Sequence, residues 1–140
     1  MYKCRHFTIK EIVNPAFLKL TSEAILWSIF DERLLKLADA IREQFGSIII
    51  NGGGLTDCGL RQNDSATGAG FSAHKYGRAL DLHICSIENK KLDKPAKTSE
   101  YEKLRVSLLS NTAFNILNFE TNIYWLHIDT FNRQNRTFKP

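Results

Sequence analysis

The pattern that most constrains the fold is a short alternation in the middle of the chain. Over residues 78–84 the side chains are apolar and polar in turn. One face comprises Leu80, Leu82 and Ile84, and the other comprises Ala79, Asp81 and His83. Successive side chains of a β-strand point to opposite faces. We therefore predict a strand whose apolar face packs into a core and whose polar face looks into a site.

Helices and further strands are predicted around this strand. The predicted elements are a helix capped by Asp31 and ending at Gly46, a buried strand over residues 47–51, a charged loop over residues 87–97, a helix that begins with a capping box at Ser99, and a strand over residues 123–128. The apolar residues of the helices recur at three- and four-residue steps. We expect one α+β domain over residues 1–140, with a small, mostly antiparallel sheet packed against helices.

Composition excludes several classes of protein. The chain is 43% hydrophobic and 24% charged, with no apolar run near the roughly eighteen residues of a membrane span. Its net charge of +4 comes from scattered basic residues without a nucleic-acid-binding motif. We expect a monomer with no membrane or nucleic-acid partner. No secretory signal is recognised at the N-terminus, and Cys4, Cys58 and Cys85 are expected to be free thiols.

Histidines on either side of the strand point to a metal site. His74 lies seven residues before Asp81 with Gly77 between them, and His127 lies in the last predicted strand. Two imidazoles and a carboxylate are a known ligand set of catalytic zinc, which keeps a fourth position for water. Gly77 would let the backbone bend so that His74 and Asp81 converge on one ion. The residues predict a metal-dependent hydrolase with zinc as the expected ion.

Two other ionisable residues share these strand faces. His83 lies on the face of Asp81, where it could bind the metal, contact a ligand or lie one step too far along the strand; we favour the last two. Asp129 shares the face of His127 and could accept a hydrogen bond from a ligand imidazole or a bound water, or form a salt bridge. His6, near the N-terminus, is given no role.

Together these segments resemble a family of zinc peptidases. The pattern is Ser72-x-His74-x-x-Gly77-x-Ala79-x-Asp81 followed by Trp125-x-His127-x-Asp129. It resembles the D-alanyl-D-alanine carboxypeptidase family, which includes phage endolysins that cut peptidoglycan stem peptides. Residues 6–11 and 50–61 are similar to segments of a phage- and bacterium-encoded branch of that family. The resemblance implies the hedgehog/DD-peptidase fold and a protein made in the cytoplasm that acts on the cell wall, as a phage lytic protein does.

The resemblance also implies a role for each matched residue. His74, Asp81 and His127 match the zinc ligands, and Ser72 lies beside the site on the substrate side. Arg61 matches an arginine that reaches toward the substrate or the developing oxyanion, and a surface salt bridge is the alternative. The implied activity is zinc-dependent hydrolysis of a D-amino-acid bond in peptidoglycan stem or cross-link peptides, by a carboxypeptidase or an endopeptidase.

The general base departs from the family pattern. The family commonly has an acidic residue three positions before the last histidine, where this chain has Tyr124. Glu120 and Asp129 are the nearby carboxylates, and Glu120 is the preferred base. If neither reaches the water, the chain would be a non-catalytic, zinc-stabilised module that binds the cell wall or belongs to a phage particle.

Overall fold

A five-stranded mixed sheet organises the computed structural model, which describes residues 1–68 and 70–140. The strands are β1 (Ile48–Ile49), β2 (Ala79–Ile84), β3 (Asn118–Glu120), β4 (Leu126–Asp129) and β5 (Thr137–Phe138). Their order across the sheet is β1-β2-β4-β3-β5, and only β3 and β5 pair in parallel. The prediction of one small α+β domain with a mostly antiparallel sheet is confirmed.

Helices cover the sheet and connect its strands. They are α1 (Ile9–Ile12), α2 (Glu23–Ile29), α3 (Glu32–Phe45), α4 (Cys85–Glu88) and α5 (Lys94–Leu109). α3 confirms the predicted caps: Oδ1 of Asp31 accepts a hydrogen bond from the amide of Arg33 at 3.0 Å, and the chain leaves the helix at Gly46 with φ 84°. A positive φ is cheap only for glycine, so Gly46 sets the end of α3.

The two faces of the sheet differ in chemistry. The apolar face consists of Leu80, Leu82 and Ile84 of β2, Phe119 of β3, and Leu126 and Ile128 of β4. These side chains share one hydrophobic cluster with buried residues of α3 and α5, among them Leu34 and Tyr101. Burying each aliphatic side chain contributes about 1.5–3 kcal/mol, so a one-residue slip of a strand would be costly. This core fixes the register that positions the polar face.

The start of α5 corrects one prediction. The charged loop over residues 87–97 is wrong because α4 extends to Glu88 and α5 begins at Lys94, and the capping box at Ser99 is wrong because Ser99 lies inside α5. Oδ1 of Asp93 accepts a hydrogen bond from the amide of Ala96 at 2.9 Å, and Pro95 occupies the first turn. Proline is compatible with a first turn, where its missing N–H is not needed.

β4 is shorter than predicted. It begins at Leu126 rather than at residue 123. The guanidinium of Arg105 donates hydrogen bonds to the carbonyls of Ile123 and Trp125 at 2.9 and 2.8 Å, so α5 binds backbone groups that a strand neighbour would otherwise take. β1 also spans only two of the five residues predicted for it.

Two features predicted from composition can be compared with the structure. Cys4, Cys58 and Cys85 are free thiols, as predicted. In the part of the chain that the structure describes, no helix has the length and apolar character needed to span a membrane.

Candidate metal centre

One row of residues crosses the polar face of the sheet. Asp81 of β2 lies opposite His127 of β4. Because Phe119 of β3 lies opposite Ile128 of β4, the same register brings Glu120 beside His127 on its other side. Directly opposed residues of antiparallel strands share a face, with Cβ atoms about 4.5–5.5 Å apart. The sheet therefore aligns two carboxylates on either side of one imidazole.

His74 reaches this row from a short 3₁₀ turn, Ala73–Tyr76, that precedes β2. Gly77 ends the turn in the left-handed conformation with φ 64°, and a Cβ atom there would lie 2.7 Å from the carbonyl oxygen of Ile29. Only glycine combines this backbone angle with so little space. The predicted bend at Gly77 is confirmed, and it lets His74 and Asp81 converge.

The three predicted ligands meet in a buried cluster. Nε2 of His74 lies 3.3 Å from Oδ2 of Asp81, and Nδ1 of His127 lies 2.8 Å from Oδ1 of the same carboxylate. One ligand atom from each residue lies within 4.8 Å of the other two. Ligand atoms at tetrahedral positions around zinc are about 3.3–3.6 Å apart. The donor set and its spacing fit a metal ion, and these three residues supply the three protein ligands that a catalytic zinc site uses.

In each of the two imidazoles, the nitrogen that does not face Asp81 is close to another acceptor of the protein. Nδ1 of His74 lies 2.9 Å from the carbonyl oxygen of Gly59, and Nε2 of His127 lies 3.1 Å from Oδ2 of Asp129. With a metal bound, neutral tautomers in which these nitrogens donate would leave Nε2 of His74 and Nδ1 of His127 free to act as ligands. Such outer contacts orient metal-binding imidazoles and increase their basicity. Asp129 thus lies within hydrogen-bonding distance of a predicted ligand imidazole and also forms a salt bridge with Arg133, which are two of its predicted roles.

Burial and charge oppose each other in the cluster. Burial raises the pKa of Asp81, but the charge of His74 and a hydrogen bond from His127 outweigh it and hold that pKa well below its usual range. Burial lowers the pKa of His127, but hydrogen bonds to Asp129 and Asp81 outweigh it and raise the pKa to about 9. Burial raises the pKa of Asp129, but hydrogen bonds from His127 and Arg133 lower it to about 2. The carboxylates therefore favour positive charge at this point, as a bound cation would supply.

A cavity of about 530 Å³ opens onto the cluster. Its volume lies in the range of small-molecule sites. Ser72, which was predicted to lie beside the site, lines this cavity, and so do Trp125 and Phe138. The cluster is therefore buried against the protein on one side and reachable through the cavity on the other.

Arg61 lines the cavity but is directed at a predicted ligand. Its Nη2 group donates to Oδ2 of Asp81 at 3.1 Å, Nη1 donates to the carbonyl of Thr67 at 3.3 Å, and Nε donates to the carbonyl of Asp57. Arg61 is buried, with 7% of its surface exposed. The surface salt bridge considered for Arg61 is wrong, since the pair that it forms with Asp81 is buried.

Of the candidate bases, Glu120 is the one that lines the cavity. Its Oε2 atom lies 3.9 Å from Nδ1 of His127, and its side chain is 19% exposed. Asp129 is fully buried, and both of its oxygens already accept hydrogen bonds from neighbouring groups. The ring of Tyr124 lies 5.0 Å from Nζ of Lys94 on α5 and does not line the cavity. Glu120 therefore has the access that a base requires.

His83 does not join the cluster. Its Nδ1 atom lies 3.6 Å from Oε1 of Glu88 and its Nε2 atom 3.7 Å from Sγ of Cys58. It lies one step farther along β2, which is one of the two favoured predictions. Nε2 of His6 lies 3.0 Å from Oε1 of Glu43, and His6 does not line the cavity.

Three residues near the site were not predicted from the sequence. Asn118 donates to Oδ1 of Asp129 at 2.8 Å, Arg133 donates to its Oδ2 at 2.7 Å, and the ring of Phe138 lies edge-on to His127 with centroids 5.7 Å apart. Asn118 and Phe138 reach the site through strand pairing, which no local pattern specifies. Arg133 follows Asp129 by four residues, and that spacing was the available signal.

Comparisons with known proteins give no relative: no family model, no curated protein and no solved structure matches the chain. The interpretation of the site therefore depends on its geometry and on the resemblance of its motifs.

Proposed function

We propose that the chain is a zinc-dependent peptidase of the hedgehog/DD-peptidase fold that hydrolyses peptidoglycan stem or cross-link peptides at a D-amino-acid bond. One observation carries the proposal: His74, Asp81 and His127 converge in a buried cluster at a cavity that Glu120 also lines. The cell-wall substrate and the D-amino-acid bond are supported by the resemblance of the two histidine motifs to D-alanyl-D-alanine carboxypeptidases.

Each residue at the cluster has a separate role in the proposed hydrolysis. His74, Asp81 and His127 would hold a zinc ion, which would supply Lewis acidity and lower the pKa of water toward about 7. Glu120, beside His127, takes a proton from the attacking water and passes it to the leaving amine. Arg61 stabilises negative charge that develops on the scissile carbonyl oxygen, since its guanidinium lines the same cavity.

Elemental analysis combined with mass spectrometry of muropeptides tests the proposal. We expect about one zinc per chain and shortened stem peptides after incubation, with cleavage lost in a chelator and restored by added zinc. His127→Ala should lose zinc and cleavage, whereas His83→Ala, a strand histidine outside the cluster, should keep both. Stoichiometric zinc with no cleavage of any muropeptide would replace this proposal with a non-catalytic, zinc-stabilised cell-wall-binding or phage structural module.

A further inference from the structure

Arg133 is a polar residue of the cavity to which the proposed function gives no task. Its Nε and Nη2 groups donate to Oδ2 of Asp129 at 2.9 and 2.7 Å. Its guanidinium carbon lies 3.7 Å from the centre of the Phe138 ring, and the side chain is 29% exposed. An arginine held along one edge by a carboxylate and over one face by an aromatic ring is pre-organised, so it loses little conformational entropy when it binds a ligand.

Arg133 differs from Arg61, the other arginine of the cavity, in what its donors do. All three nitrogens of Arg61 donate to protein acceptors, and its side chain is 9% exposed. The Nη1 group of Arg133 has no hydrogen-bond acceptor among residues 1–68 and 70–140. Of the two, Arg133 therefore combines an unengaged amino group with a partly exposed side chain.

Arg133 lies close to a predicted metal ligand. Oδ2 of Asp129 accepts from both Arg133 and His127, and the ring of Phe138 contacts both of their side chains. The guanidinium thus lies one carboxylate away from a predicted metal ligand. Arg133 and the three predicted ligands also line the same cavity, so a peptide bound at the cluster can reach the guanidinium.

We propose that Arg133 is the specificity-determining residue for a substrate carboxylate near the scissile bond, and that its Nη1 group binds this carboxylate. This inference rests on the proposed function. The guanidinium is the side chain best matched to carboxylate geometry, and its hydrogen bonds to an anion are about twice as strong as neutral ones. The carboxylate is either the free C-terminus of the peptide or an acidic side chain beside the bond, and the substrates below separate these sources.

Three synthetic stem peptides test the proposal in hydrolysis. One ends in a free α-carboxylate, the second is its C-terminal amide, and the third is an amide with an acidic residue beside the scissile bond. We expect the wild type to prefer a carboxylate-bearing peptide over the plain amide by about tenfold to a hundredfold in kcat/KM. Arg133→Gln should bring this ratio close to one, and Arg133→Lys should retain part of it.

The ratio separates substrate binding from a supporting role toward Asp129. If Arg133 only held Asp129 in place, Arg133→Gln would lower kcat/KM equally for all three peptides, and an unchanged ratio would overturn the proposal. Zinc content is measured for each variant, so that loss of metal is not mistaken for loss of specificity. The peptide favoured by the wild type identifies which carboxylate is bound.

A binding measurement on the metal-free protein is independent of turnover. N-acetyl-D-alanine and N-acetyl-D-alaninamide are titrated by NMR into the wild type, Arg133→Gln and Lys139→Gln; Lys139 is another cation that lines the cavity. We expect the acid to bind the wild type and Lys139→Gln, and to lose at least tenfold in affinity with Arg133→Gln. Equal affinity of wild type and Arg133→Gln overturns the proposal even if peptides are cleaved. Binding that depends on Arg133 without any cleavage refutes the proposed hydrolysis and leaves the carboxylate site standing.

Discussion

The substitution Asp129→Asn tests how the protein orients His127. Each hydrogen-bonding partner of the Asp129 carboxylate is a donor. Oδ2 lies 3.1 Å from Nε2 of His127 and 2.7 Å from Nη2 of Arg133, while Oδ1 accepts from Asn118 at 2.8 Å and from the amide of Phe131 at 3.1 Å. Asparagine has almost the same shape but replaces one oxygen with an NH₂ group. Whichever way the amide turns, that group meets donors and finds no acceptor.

The expected loss can be worked out from these contacts. Removing an outer partner of a metal-binding histidine typically weakens metal affinity by about 10- to 100-fold, which corresponds to about 1.4–2.7 kcal/mol. A buried donor left without an acceptor costs a further ~1–3 kcal/mol of folding free energy. Asp129→Asn should therefore raise the zinc dissociation constant by one to two orders of magnitude and also destabilise the metal-free protein.

Competition with a fluorescent chelator measures the zinc affinity, and urea unfolding of the metal-free protein measures the stability. Glu88→Gln is the matched control, because Glu88 pairs with His83 on the same face of the sheet but outside the cluster. Glu88→Gln should leave zinc affinity unchanged. The reasoning is refuted if Asp129→Asn binds zinc as tightly as the wild type, or if both substitutions weaken zinc binding equally.

Three further predictions concern the base, the turn and an acid-sensitive contact. Glu120→Gln should keep one zinc per chain and lower peptide hydrolysis by about 10²- to 10⁴-fold, whereas Tyr124→Phe should leave the rate unchanged; muropeptide assays with elemental analysis decide this. Gly77→Ala should lower the free energy of unfolding in urea by more than Gly46→Ala does. Both glycines have positive φ, but of the two only Gly77 would place a Cβ atom against backbone, 2.7 Å from the carbonyl oxygen of Ile29. Equal losses for the two substitutions would contradict this prediction. Burial raises the pKa of Asp31, but hydrogen bonds from Arg33 and Thr130 outweigh it and lower the pKa to about 2. The ionised Asp31 therefore stabilises the fold fully above its unfolded pKa of about 3.9, and this stabilisation is lost as the pH falls toward 2. Asp31→Asn should flatten the acid limb of a stability–pH curve measured by urea unfolding.

The parts of the fold that sequence reasoning predicted are those with local causes. β2 follows from a period-two alternation, and α3 follows from a capping aspartate at one end and a glycine with positive φ at the other. The three candidate ligands were predicted for the same reason, because the types and spacing of these residues carry the chemistry. The start of α5 was missed although its signal is local: Asp93 and Pro95 lie within a run of lysines that reads as a solvated loop.

Strand pairing explains how Glu120, the base preferred from the sequence, comes to lie beside His127. The family that the motifs resemble commonly has an acidic residue three positions before the last histidine. This protein has Tyr124 there, and its ring lies against lysines of α5. The structure brings an acid to His127 across the sheet instead, because β3 and β4 pair in a register that sets Glu120 beside it. The five residues that connect β3 to β4, residues 121–125, include two carbonyls that Arg105 binds, and this connection lets the two strands pair. Strand pairing can therefore place a carboxylate beside His127 from a more distant position along the chain, and Glu120→Gln measures whether this carboxylate acts as the base.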